Sequence, residues 1–138
     1  MVYLNVLLSV NPKYAAKIVD GEKKYEFRRR IFKRKDIEQI YIYSTSPVSK
    51  ITGVITIKEI LEGSTEEIWE KCSSYSGITE EEFFCYFEDK EKAFAIEIED
   101  VKVFTEPVDP YTIFDRFSPP QSFCYLNKDF VPFREKKD

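Results

Sequence analysis

Asn11-Pro12-Lys13-Tyr14-Ala15-Ala16-Lys17-Ile18-Val19-Asp20-Gly21-Glu22-Lys23-Lys24-Tyr25-Glu26-Phe27-Arg28 encodes a helix, its stop and the strand that follows. The Asn11 side chain can accept from the first free helical amides, and Pro12 occupies the first helical position, where its missing N–H costs nothing. Ala15, Ile18 and Val19 recur at helical spacing, which predicts a helix over Pro12–Asp20. Gly21 stands where a left-handed C-cap belongs. The period then changes. Along Lys24–Arg28, Tyr25 and Phe27 fall on one face and Lys24, Glu26 and Arg28 on the other. Lys23 would point away from Glu26 and Arg28 in an unbroken strand, so convergence of the three requires a turn or bulge near Lys24.

Working outward, residues 3–10 (Tyr3, Leu4, Val6, Leu7, Leu8, Val10) read as a strand, as do the Ile and Tyr residues of Gln39–Tyr43. Ser44-Thr45-Ser46-Pro47 is a turn, and Lys50–Leu61 a long strand in which Gly53 marks a bulge or a close backbone approach. Ser64-x-x-Glu67 and Thr79-x-x-Glu82 are capping boxes opening helices over about 65–73 and 80–89. Trp69, Phe83, Phe84 and Phe87 are core anchors on those helices. Lys92–Phe104 is another long strand with a phase slip near Asp100, Pro107–Pro120 a loop with one helical turn, and Ser122–Leu126 a closing strand. Without βαβ alternation or repeats, this order predicts a single α+β domain over 1–138, with its core at about 3–126 and a frayed tail at 127–138: a small, mostly antiparallel β-barrel with flanking helices.

Composition excludes several chemistries. With 138 residues, 43% hydrophobic and 16% aromatic, the chain can bury a core without a metal or disulfide staple. It has no histidine, hence no Ser-His or Cys-His pair and no His-ligated metal. Cys72, Cys85 and Cys124 are far apart and form no C-x-x-C, which argues against a thiolate zinc site and for a reducing, cytoplasmic compartment. The apolar N-terminal stretch is too short for a membrane span. No glycine-rich phosphate loop occurs; no metal or cofactor is expected.

The net charge of −4 conceals a bipolar chain. Lys23–Lys35 holds eight cations (Lys23, Lys24, Arg28, Arg29, Arg30, Lys33, Arg34, Lys35) against one acid, Glu26, whereas Glu59–Asp100 holds fourteen acids against three lysines. Four of the eight cations are arginine, whose planar fork suits phosphate. This local anion site on an acidic body points to a nucleic-acid backbone as partner.

Gly21–Arg28 also fits the pattern G-x-K-x-x-E-x-R. In this, in its placement after a capped helix, in Tyr41-Ile42-Tyr43-Ser44-Thr45-Ser46-Pro47, in the Gly53 strand and in Pro119-Pro120-Gln121-Ser122-Phe123, the sequence resembles the ASCH family of PUA-like barrels over about residues 3–126. The resemblance implies binding of RNA, a nucleotide or a nucleoside in a cleft formed by Gly21, Lys23, Glu26, Arg28, Ser44, Ser46, Gln121 and Ser122. Arg29, Arg30, Lys33, Arg34 and Lys35 would hold the nucleic-acid backbone. It also implies an alternative, hydrolysis of RNA or of N-acylated cytidine nucleosides. Lys23 and Glu26 would then be catalytic, Lys23 activating a hydroxyl or water once burial lowers its pKa, Glu26 moving a proton and Arg28 stabilising negative charge. The deacylating relatives carry Thr where this chain has Glu26, and the further acid of their helical insert has no counterpart near Ser73–Thr79.

Overall fold

The computed structural model describes residues 4–126 apart from Asp115, so the strand reading at Tyr3 and the tail at 127–138 lie outside the described residues. The chain runs β1 (Leu4–Val10), α1 (Pro12–Val19), β2 (Tyr25–Arg28), β3 (Ile37–Ser44), β4 (Lys50–Ser64), α2 (Thr65–Cys72), a 3-10 turn (Ser73–Tyr75), α3 (Glu80–Tyr86), β5 (Lys92–Val108), a single helical turn α4 (Pro110–Ile113) and β6 (Phe123–Leu126). Local signals set the helix starts. Asn11 accepts from the Lys13 amide, and both capping boxes form, Ser64 with Glu67 and Thr79 with Glu82.

The six strands form one sheet in the order β2-β5-β4-β3-β1-β6. Four of its pairings are antiparallel, but β1 and β3 run parallel, Val6 opposite Ile40 and Leu8 opposite Ile42. The α+β class agrees with the sequence reading. The expected barrel is not closed: among the described residues β2 and β6 end as the two edges of an open sheet, with no ladder between them.

Ile40 and Ile42 on one face of β3 and Tyr41 and Tyr43 on the other are all buried, as a central strand covered on both sides requires. One face packs Val6, Leu8, Ile40, Ile42 and Ile55 under Ala15 and Ile18 of α1; the other packs Leu7, Tyr41, Tyr43, Val54 and Phe104. A third cluster joins Phe27 of β2 to Ile68 and Cys72 of α2 and to Phe83 and Phe87 near α3, with the Phe27 and Phe83 rings edge-to-face at 5.0 Å. It anchors the α2–α3 insert beside the β2 edge. No helix among the described residues is long and apolar enough to cross a membrane.

The β4–β5 ladder slips register between Ile57 and its neighbours, passing from Thr56–Asp100 to Ile57–Ile98, which is the phase change read near Asp100. At Gly53 the same ladder brings strands unusually close: a Cβ there would lie 2.8 Å from the Lys102 carbonyl oxygen. Gly53→Ala is expected to lower stability by about 1–3 kcal/mol. A reduced denaturant midpoint at unchanged m-value measures it; a midpoint equal to wild type would mean that the strands part without cost.

Candidate functional site

The bend between α1 and β2 supplies the turn that convergence of the motif needs. Gly21 adopts φ +82°, the Lys23 amide donates to the Lys17 carbonyl (3.0 Å) and the Lys24 amide to the Tyr75 carbonyl (2.9 Å). Lys23 thus precedes the strand and escapes its alternation. Its ammonium shares a cleft of about 170 Å³ with Glu26 and Arg28, lined also by Ser9, Tyr14, Ile78, Glu82 and Tyr86.

Lys23 is 2% exposed. Its ammonium donates to the Ser76 carbonyl at 2.6 Å and lies 4.5 Å from the centre of the Phe27 ring. Burial pushes its pKa down from 10.5 to about 8, opposed by the Glu26 carboxylate and assisted by Lys17. Glu26 and Arg28 are also buried, and Arg28 Nη1 donates to Glu26 Oε2 at 3.2 Å.

The same guanidinium reaches across the open seam of the sheet. Nη1 donates to the Ser9 carbonyl of β1 at 3.4 Å, and Nη2 donates to the Ser122 hydroxyl just before β6. Ser9 in turn donates through Oγ to the Pro120 carbonyl (2.6 Å) and through its amide to the Ser122 carbonyl (2.9 Å). Arg28 Nε is buried with no hydrogen-bond partner among the described residues.

A second cavity of about 430 Å³ adjoins the first, lined by Arg28, Arg29, Arg30, Tyr86, Lys90, Gln121 and Ser122. Gln121 and Ser122 therefore meet the motif at the seam, although the sequence separates them by more than ninety residues. Other expected members are placed elsewhere. Gly21 is exposed and shapes the bend without lining the cleft. Ser44 is buried where β3 continues its ladder to Val10 and Lys50, and Ser46 is exposed in the following turn. The basic run divides as well. Arg34 pairs with Asp36 at 2.8 Å, and with Lys35 it borders a separate hollow that contains Glu38, Glu59 and Glu62. The Lys33 amide donates to the Tyr125 hydroxyl at 3.1 Å. Only Arg28–Arg30 face the seam as a group.

Several residues reach the site without any signal in the motif. Glu82 caps α3 and lines the cleft, where it accepts from Lys13 Nζ and from the Tyr14 hydroxyl, both at 2.8 Å. Those contacts and the Thr79 amide hold its carboxyl down at about 2, while burial and Glu82 push the Tyr14 hydroxyl up to about 12. Gly77, at φ +70°, lies over Lys23: a Cβ there would stand 2.6 Å from the lysine Cβ. Lys17 Nζ donates to the Gly77 carbonyl at 3.0 Å, so residues 73–79 form a strap holding two lysines by carbonyl oxygens. The positive φ and the contact would have shown only with the fold in hand. Among the described residues no three His, Cys, Asp or Glu side chains gather to hold a metal, and Cys72, Cys85 and Cys124 are free thiols.

Comparison with known proteins identifies the family of the chain. A family model described as "Domain of unknown function (DUF365)" matches residues 4–115. An ASCH domain-containing ribonuclease of Zymomonas mobilis is 32% identical over 129 residues, covering 89% of this chain and 84% of that protein. The chain belongs to the ASCH-domain family. The crystal structure of the Zymomonas mobilis ASCH protein superposes on this ASCH domain with a TM-score of 0.82, at 32% identity over 91% of this chain and 89% of that one. A Tyr-to-Phe variant of the same protein gives the same TM-score at 31% identity, over 90% and 91%. Large ribosomal subunit protein uL22 of Ureaplasma parvum is 26% identical across 88% of this ASCH domain, which spans only 39% of that protein.

The buried ammonium makes the stability of this ASCH domain pH-dependent with a definite sign. Below about pH 8 Lys23 is charged in the folded and unfolded chains alike, and its desolvation cost is borne in full. Between about 8 and 10.5 the folded chain sheds the proton first, and the cost is relieved as pH rises. Lys23→Met is therefore expected to be more stable than wild type at neutral pH, with an advantage that shrinks toward pH 10. Paired denaturation curves across this range measure it, and a difference independent of pH would refute the assignment. Gly77→Ala is expected to lose about 1–3 kcal/mol through left-handed backbone strain and its collision with the Lys23 stem, read from the same curves.

Proposed function

We propose that the chain binds single-stranded RNA along the seam of its sheet and cleaves it at the Lys23 cleft. The observation that carries this reading is the buried Lys23 ammonium, with its pKa lowered to about 8, beside Glu26 and an Arg28 whose Nε lacks a partner. A group titrating near neutrality suits general acid–base work. The ribonuclease of Zymomonas mobilis, with which the chain shares 32% identity, supports RNA as the substrate. The groove of Arg28, Arg29, Arg30 and Lys90 would hold backbone phosphates, and the cleft would receive a base or the reacting linkage.

In this reading the neutral Lys23 amine removes the 2′-hydroxyl proton, and the freed oxygen attacks the adjacent phosphorus. The bond to the 5′-oxygen breaks, leaving a 2′,3′-cyclic phosphate. Glu26 carries the proton from the Lys23 ammonium to the departing oxygen. The Arg28 guanidinium neutralises charge growing on the non-bridging oxygens. Binding without cleavage is the second reading, favoured by the closed hydrogen bonds of Lys23 to Ser76 and of Arg28 to Glu26. The three unpaired thiols fit a cytoplasmic protein.

The test is a labelled single-stranded RNA incubated over a salt series, with each sample split between an affinity measurement and a denaturing gel. Binding is expected to weaken as about 3–5 counterions are released. Cleavage is expected to rise with pH toward about 8 and to fall about 10²- to 10⁴-fold in Lys23→Ala while the fold persists. Salt-dependent binding with intact RNA at every pH would establish the binding reading instead, and no binding at low salt would remove both.

A further inference from the structure

We propose that Tyr86 is the platform on which one base of the bound strand stacks, so that a nucleotide straddles this ring with its base in the cleft and its phosphate in the adjoining groove. The proposal rests on the RNA reading above and adds to it the residue that orients the ligand. Tyr86 lines both cavities, and besides it only Arg28 is shared. It ends α3, its ring sits edge-to-face with Phe87 at 4.8 Å, and the Arg29 guanidinium lies over the ring at 4.6 Å from its centre. The ring is thus fixed from the insert side, and one face carries a flat cation in van der Waals range. A planar guanidinium on an aromatic face occupies the place that a nucleobase takes when it stacks.

Charge dictates which end of a nucleotide enters which cavity. The cleft balances the Glu26 and Glu82 carboxylates against Lys23 and Arg28, and the groove presents Arg28, Arg29, Arg30 and Lys90 without an acid. A phosphate other than the reacting one finds no surplus of cations in the cleft, whereas a base offers its carboxylates N–H donors. A phosphate in the groove meets only cations and the polar Gln121, Ser122 and Tyr86 side chains. The other tyrosines near the cleft, among the described residues, are held elsewhere. Tyr41 and Tyr43 are 7% and 1% exposed and belong to the core, and Tyr14 is tied to Glu82.

The test uses the full chain and a ten-nucleotide RNA in which one adenine is replaced by 2-aminopurine, whose emission falls when it stacks. Inorganic polyphosphate serves as a phosphate-only probe. Wild type and Tyr86→Phe are expected to bind the RNA equally and to quench the probe. Tyr86→Leu is expected to bind it about 10- to 100-fold more weakly, without quenching, while holding polyphosphate as wild type does. In the wild-type protein, ultraviolet cross-linking followed by peptide mass mapping should place an RNA adduct on Tyr86, a readout that does not depend on any variant folding. Equal RNA affinity and quenching in Tyr86→Leu, or adducts that all map away from Tyr86, would overturn the platform while leaving RNA binding intact. Failure of wild type to bind the RNA would overturn the functional reading and the platform together.

Discussion

One guanidinium holds the two ends of this sheet together. β2 and β6 are the outermost strands of a six-strand order, and no backbone ladder joins them. Strand twist brings such edges toward each other, and Arg28 spans what remains by donating to Glu26, to the Ser9 carbonyl and to the Ser122 hydroxyl. A ladder across the same gap would have consumed the polar groups of both edges. Because the contact is a side chain instead, the seam stays open enough to form a cleft on one side of Arg28 and a groove on the other. The site is thus the unclosed join of the sheet, and the residue that bridges it also keeps an unpartnered donor there.

The insert between β4 and β5 completes this site. Aromatic packing of Phe83 and Phe87 against Phe27 seats α2 and α3 against β2, and the strap at 73–79 then covers Lys23. Covering the ammonium is what moves its pKa toward neutrality, since desolvation is the largest cause. The insert also carries much of the acidity of the chain, so the cationic groove sits on a body that repels polyanions elsewhere.

What was legible in the sequence was local. Asn11-Pro12, the two capping boxes, Gly21, the approach at Gly53 and the slip near Asp100 each act within a few residues or along one strand pair, so residue type alone reveals them. The parallel pairing of β1 with β3 was not legible, because it joins strands separated in the chain by α1 and β2 and no local signal marks its direction. Lys23, Glu26 and Arg28 could be named from their spacing, but their company could not. Glu82 reads as a cap and serves also as a cleft wall, and nothing local marks Gly77 as the residue that makes room for a lysine stem. Ser44 and Ser46 do not line the cleft: the first is buried in the β3 ladder beside Val10, and the second is exposed in the turn that follows.

The single tryptophan has a consequence of its own. Trp69 lies 4.9 Å from Phe83 and 6.2 Å from Phe84, inside the cluster that seats the insert. Its indole is therefore an intrinsic optical gauge of the joint between insert and sheet. Emission from this protein is expected to report whether α3 is docked, and with it the Tyr86 wall of the cleft. A spectroscopist gains a site-adjacent fluorophore without adding a label.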